Sequence, residues 1–178
     1  MVDAGTGDGR YALHVARTRA DALAIGLDAS ADALAYAARC AVRERVPNLV
    51  LLREPLESLA LDSFADELTI HFPWGSLLSG ALAEDRAVFD AICRLPRPCG
   101  LLTLAISVIA RDGRAPLSSK DIARVVREYR WSGFTLVEGR ALHRADVVAA
   151  RSSWGKRLDV GGARPGHLMR FRRSSAPV

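Results

Sequence analysis

Asp3-Ala4-Gly5-Thr6-Gly7-Asp8-Gly9 sets three glycines at alternate positions behind a carboxylate. Glycine has no Cβ, so such a loop turns tightly and lets a ligand approach its backbone. The loop falls between a short apolar stretch and an amphipathic one, the strand-to-helix turn where doubly wound sheets receive nucleotide-like ligands. Its spacing is G-x-G-x-G, whereas the dinucleotide fingerprint is G-x-G-x-x-G. NAD is therefore the rival ligand that the glycine spacing argues against. Asp28 lies nineteen residues beyond Gly9 and ends the apolar run Ala24-Ile25-Gly26-Leu27. A carboxylate there can accept hydrogen bonds from both hydroxyls of a ribose. Glu57 follows the third apolar run, where such folds meet an adenine edge; a solvated glutamate at a helix start is an equally good plain reading.

Two tryptophan segments form the second constellation. His71-Phe72-Pro73-Trp74-Gly75-Ser76 follows the fourth apolar run, and Ser152-Ser153-Trp154-Gly155-Lys156-Arg157 precedes the last. A tryptophan beside glycine and two cations can stack a base and hold its phosphate. The plain reading of each tryptophan is a core residue. Loop placement at strand ends favours function for Trp74 and Trp154, and a position inside a helix favours the core for Trp131.

The elements that would position these groups alternate. Strands are expected at Val2 to Ala4, Leu23 to Leu27, Leu49 to Leu52, Leu68 to Phe72, Leu101 to Val108, Phe134 to Glu138 and His167 to Arg172. Helices are expected at Arg10 to Arg19, Ala31 to Arg45 with Ser30 as N-cap, Ala81 to Arg94, and Ser119 to Ser132 with Ser118 or Ser119 as cap. One more helical segment stands between the last two strands. This order predicts an α/β fold: a mostly parallel seven-stranded sheet, Rossmann-like, with helices on both faces and an antiparallel edge. The first strand has almost no length before Gly5, so either the start lies upstream or this form is shortened.

A chain of 178 residues fits one domain over 1–178, and no apolar run reaches the length of a membrane span. The N-terminus lacks a basic-then-apolar leader, so the cytoplasm is the expected compartment. Cys40, Cys93 and Cys99 form no CxxC pair and read as buried small hydrophobes. His14, His71, His143 and His167 are scattered, so no metal site is expected. The net charge of +5 favours an anionic partner, and the excess sits late in the chain. Arg151, Lys156, Arg157, Arg164, Arg170, Arg172 and Arg173 face the single acid Asp159 there, which suggests one basic face.

The loop from Asp3 to Gly9 resembles motif I of class I methyltransferases, in which the acid faces the amino group of a methionine moiety. Phe72-Pro73-Trp74 occupies the place of the N/D-P-P-Y/F/W motif of methyltransferases that act on nitrogens. It lacks the leading Asn or Asp, and so lacks a side-chain acceptor for an exocyclic amine. That loss fits a ring nitrogen as target. Together with Ile25 to Asp28, Phe72 to Leu78 and Ser152 to Leu158, these segments resemble the aminoglycoside-resistance 16S rRNA (adenine-N1)-methyltransferases of the kanamycin–apramycin type.

The resemblance implies methyl transfer from S-adenosylmethionine to N1 of the decoding-site adenine in the 30S subunit, which blocks certain aminoglycosides. It implies that Asp3, Gly5, Gly7, Gly9, Asp28 and Ser76 hold the cofactor, with Glu57 near its adenine. Trp74 and Trp154 would sandwich the flipped base, with Ser152 nearby. Lys156, Arg157 and Arg164 would contact rRNA phosphates. The N1 lone pair carries no proton, so no general base is expected, and a monomer is expected. Two departures stand out: the family's N-terminal β-hairpin is absent, and Arg43 to Asn48 is shorter and less lysine-rich than the family's basic linker. The alternatives are a class I methyltransferase for another RNA or a small molecule, and an RNA-binding module with a vestigial cofactor site.

Overall fold

The computed structural model describes residues 1–175; the last three positions of the expected domain, 176–178, lie outside the described residues. Seven strands form one sheet in the order β3-β2-β1-β4-β5-β7-β6. They are β1 Val2–Ala4, β2 Ala24–Leu27, β3 Leu49–Leu52, β4 Ala65–His71, β5 Pro96–Ile106, β6 Phe134–Ala141 and β7 His167–Arg173. The first five pair in parallel, and β7 runs antiparallel between β5 and β6. The expected antiparallel edge is therefore present.

Among the described residues seven α-helices connect the strands: α1 Arg10–Thr18, α2 Ala31–Glu44, α3 Gly75–Ala81, α4 Arg86–Arg94, α5 Ser119–Trp131, α6 Arg144–Ala149 and α7 Ser153–Arg157. Their apolar positions recur at helical spacing. On one side of the sheet, Leu13 of α1 packs with Ala37 and Cys40 of α2, over Leu49 and Leu51. On the other, Phe89 and Ile92 of α4 and Val125 and Tyr129 of α5 join the main core. Both faces are covered, as a sheet of continuous apolar strands requires.

The differences from expectation have local causes. The helix expected over 81–94 begins only at Arg86, because the chain turns at Leu82 to Asp85 and Asp85 caps α4 by accepting from Val88 N–H; α3, over Gly75–Ala81, was not expected. Strand β4 starts earlier and ends at His71, because Phe72 adopts a left-handed φ of 54° and leaves the strand. Strand β5 likewise spans Pro96–Ile106, and the single segment expected before β7 is the pair α6 and α7. Ser30 caps α2 through its backbone alone, whereas Ser118 caps α5 with its hydroxyl on Asp121 N–H. Trp131, expected in the core, is 67% exposed. It stands two residues past buried Tyr129, on the opposite side of α5, with the Arg127 guanidinium over its ring. Of the cysteines only Cys40 is buried, Cys93 is half-buried and Cys99 is exposed.

Between β6 and β7 a separate small core forms from Phe72, Ala105, Leu142, Val147, Ala150, Val160 and Leu168. It matters because it seats α6 and α7 beside the ends of β4 and β5. Gly155 in α7 permits that seat: a Cβ there would lie 2.9 Å from the Phe72 ring and from Val147.

Candidate functional site

A cavity of about 530 Å³ opens at the carboxyl ends of β1, β2 and β4. This is the switch point of the sheet, where connections depart to opposite sides and strand ends leave a crevice. The glycine loop forms its floor. Gly5, Gly7 and Gly9 all take left-handed φ, at 68°, 57° and 70°. A Cβ on Gly7 would meet nothing within 4 Å, so its backbone is bare toward a ligand. A Cβ on Gly9 would sit 2.5 Å from Ala37 Cβ, so glycine there lets α1 start hard against α2.

Two carboxylates brace this loop. Asp28 ends β2 and accepts from Gly7 N–H and Ser30 N–H, each at 2.9 Å, one on each oxygen. Each oxygen keeps a lone pair for a further donor. Asp3 is 2% exposed and accepts from the hydroxyls of Thr6 and Thr69, the latter at 2.8 Å. Asp8, Glu54 and Glu57 add three further acids to the cavity wall. Glu57 lies in the short 3-10 turn Leu56–Ser58, and Ser76 lies in the first turn of α3. Tyr11 closes the inner side, its hydroxyl pKa pushed up by burial and then by the Asp3 charge.

The opposite rim is aromatic and basic. Trp74 and Trp154 are 46% and 37% exposed. Their rings meet edge to face, centroids 5.6 Å apart at 80°. Arg157 stacks over Trp154 at 4.8 Å. Arg151 lines the cavity too, and Lys156 is exposed beside it. Among the described residues, none of these three cations has an acidic partner. The Ser153 hydroxyl donates to Asp8 at 2.9 Å and so ties α7 to the glycine loop.

Most of the residues singled out in the sequence thus converge here: Asp3, Gly5, Gly7, Asp28, Glu57, Ser76, Trp74, Ser152, Trp154 and Arg157 all line one cavity. Gly9 supports it from behind. Ser152 lines the cavity, and its hydroxyl also caps α7 by accepting from Gly155 N–H at 2.9 Å. Two expectations need correction. Arg164 is 6% exposed, and its guanidinium is spent on Asp112, the Ser107 hydroxyl at 2.9 Å and the Ser107 carbonyl at 3.0 Å. Burial alone would raise the Asp112 pKa, but Ile109 N–H and Arg164 outweigh it and lower it. Arg164 is thereby a structural clamp between the β7 approach and the segment after β5, with no free donor face for phosphate. The single basic face also divides: Arg170 pairs with Glu138, and Arg172 and Arg173 bond the carbonyls of Cys99 and Pro96, away from the cavity.

Sequence reasoning did not single out Thr6, Asp8, Tyr11, Glu54, His71 and Ser153 for the site, and it read Arg151 only as part of the basic stretch. Asp8 and Tyr11 flank the glycine loop and were open to notice; the others depend on the fold. No group of three His, Cys, Asp or Glu among the described residues is arranged to hold a metal ion.

Comparison with known proteins bears on this geometry. The family model NpmA, described as 16S rRNA (adenine(1408)-N(1))-methyltransferase, matches residues 1–171. A curated 16S rRNA (adenine(1408)-N(1))-methyltransferase of Streptoalloteichus tenebrarius is 29% identical over 170 residues, covering 89% of this chain and 79% of its own. The crystal structure of a W203A mutant of the same enzyme type from Catenulisporales acidiphilia, solved with the cosubstrate SAM, superposes with a TM-score of 0.83 at 26% identity, covering 99% of this chain and 87% of that one. The 16S rRNA methyltransferase KamB superposes equally well, with a TM-score of 0.83 at 26% identity over 97% of this chain and 86% of its own. With an acid-lined glycine cradle facing a paired-tryptophan rim, and a family match over nearly its whole length, this chain belongs to the 16S rRNA (adenine(1408)-N(1))-methyltransferase family.

Proposed function

We infer that the protein transfers a methyl group from S-adenosylmethionine to N1 of the decoding-site adenine of 16S rRNA, within the 30S subunit, and thereby confers aminoglycoside resistance. One observation carries this reading: the cavity is divided into an acidic floor and an aromatic, basic rim. Asp3, Asp8, Asp28, Glu54 and Glu57 suit a ligand bearing an ammonium and a sulfonium. The same acids repel a pyrophosphate, which argues against a dinucleotide. The rim suits a flipped base and its phosphate.

The cavity volume lies within the range of cofactor sites. The bare backbone at Gly7 leaves room for the ligand, and the free lone pairs on Asp28 suit its ribose. Asp3 would attract its ammonium, Glu57 and Glu54 would edge its adenine, and Ser76 would bond its carboxylate. Bound there, S-adenosylmethionine supplies an electrophilic methyl on sulfur. The chain's part is positioning and exclusion of water, since the N1 lone pair of adenine needs no base. Trp74 and Trp154 would stack the extruded base, and Arg151, Lys156 and Arg157 would hold the phosphates beside it.

A base between two rings needs them parallel and about 7 Å apart, two contacts of roughly 3.5 Å each. In this structure one tryptophan edge fills that space. The pair therefore has to open for a base to enter. The protein acts in the cytoplasm, as a monomer on the assembled subunit. The test is labelled methyl transfer to purified 30S subunits and to protein-free 16S rRNA. Transfer to 30S subunits well above that to free rRNA supports the reading. Transfer to neither, with cofactor binding intact by calorimetry, points to another substrate.

A further inference from the structure

His71 is the histidine of the cavity wall. It ends β4, directly before Phe72-Pro73-Trp74, and its side chain is 13% exposed. Its ring is gripped on two sides. Tyr11 meets it edge to face, centroids 4.7 Å apart at 85°. Asp3 Oδ1 stands 3.4 Å from Nδ1, and Nδ1 is enclosed with no well-formed hydrogen bond. A bare Nδ1 lone pair facing that carboxylate would be repelled. The arrangement selects the tautomer with the proton on Nδ1, and leaves Nε2 as a lone-pair acceptor on the distal edge of the ring. His71 and Trp74 line the same cavity, and of the His71 ring nitrogens it is Nδ1 that is enclosed without a partner.

We propose that His71 Nε2 accepts a hydrogen bond from the exocyclic amine of the target adenine, with Asp3 and Tyr11 holding the ring for that task. The proposal rests on the methyltransferase reading above and adds to it a residue that reads the base. In sequence, His71 fills the position at which N/D-P-P-Y/F/W motifs carry their Asn or Asp. The missing acceptor is thus replaced by an imidazole, and Asp3 supplies its orientation. In the reaction the N1 lone pair forms the new N–C bond, the S–C pair leaves on sulfur, and the positive charge passes into the adenine ring. Part of that charge reaches the amine, which becomes a stronger donor. The bond to Nε2 therefore tightens in the transition state, where it raises the turnover rate more than it improves binding.

Two polar substitutions separate this role from simple support of Asp3. His71→Asn keeps a donor near the Nδ1 position but is too short to reach the base; His71→Gln extends toward the Nε2 position. Both are expected to bind S-adenosylmethionine within about threefold of wild type by calorimetry. On 30S subunits, kcat is expected to fall about 100-fold in H71N and no more than about 10-fold in H71Q, with KM for 30S little changed, a loss in the range of one transition-state hydrogen bond. Equal kcat in the two variants, or H71N faster than H71Q, overturns the proposal, because the ring would then act only by supporting Asp3. Wild-type kcat in both overturns it too. Absence of transfer by the wild-type protein is a different failure: the methyltransferase reading itself falls, and this proposal with it.

Discussion

Asp28 joins two tasks in one carboxylate: it fastens the glycine loop through Gly7 N–H and leaves lone pairs for a ribose. Asp28→Ala should therefore weaken S-adenosylmethionine binding by about 10- to 100-fold, the value of one or two charge-assisted hydrogen bonds, as read by calorimetry. On the proposed reading Trp154 touches the base and not the cofactor. Trp154→Ala should leave cofactor affinity within a few-fold while methylation of 30S subunits falls about 10- to 100-fold, the equivalent of roughly 1–3 kcal/mol of stacking. Unchanged methylation would remove Trp154 from the base slot. Asp3, Gly5, Gly7, Asp28 and the two tryptophans were legible in the sequence because each has a fixed distance from a glycine turn or a strand end. Arg164 was not. Its partner Asp112 lies far away in the chain, and only the fold makes the arginine a buried clamp in place of a phosphate ligand. His71 went unread because its meaning comes from Asp3 and Tyr11 across the sheet.

At the level of elements, α1 depends on Gly9. Gly9→Ala combines a left-handed φ of 70° with a Cβ 2.5 Å from Ala37, so it should cost about 2 kcal/mol and lower Tm by roughly 4–8 °C. The edge segment that carries α7 depends on Asp146, whose pKa Arg140 holds down to about 2, assisted by His143 N–H. A carboxylate depressed in the fold stabilises above its unfolded pKa and loses that contribution as pH falls through the folded one. Asp146→Asn should therefore lower Tm at pH 7, and the gap to wild type should close between about pH 4 and pH 2, as followed by thermal denaturation. The strands and the long helices α2 and α5 were readable from periodicity. One helical segment was expected before β7, but not its division into α6 and α7: six and five residues are too few to stand alone, and Val147 and Ala150 pack with Phe72 and Leu168.

Over the whole molecule, charge is sorted by place. Acids collect on the cavity floor, while Arg151, Lys156 and Arg157 at the rim have no acidic partner among the described residues. The net excess of +5 pointed to an anionic partner and to one basic face late in the chain, but Arg170, Arg172 and Arg173 serve the edge of the sheet. If the rim cations bind phosphate, affinity for 30S subunits should fall steeply with salt, and replacing all three by alanine should reduce the slope of log K against log salt by about one per residue. Cofactor affinity should respond little to either change. No helix among the described residues is long and apolar enough to cross a membrane.

The central claim is that the aromatic rim presents N1 of one adenine to the methyl donor. Reverse transcription of 16S rRNA from 30S subunits treated with enzyme and S-adenosylmethionine tests it most directly, because a methyl on N1 blocks the pairing edge and halts the polymerase. A single strong stop at the decoding-site adenine, dependent on the cofactor and lost in the Trp154→Ala variant, is the predicted result. Label incorporated without a stop there, or a stop at another nucleotide, would contradict the account.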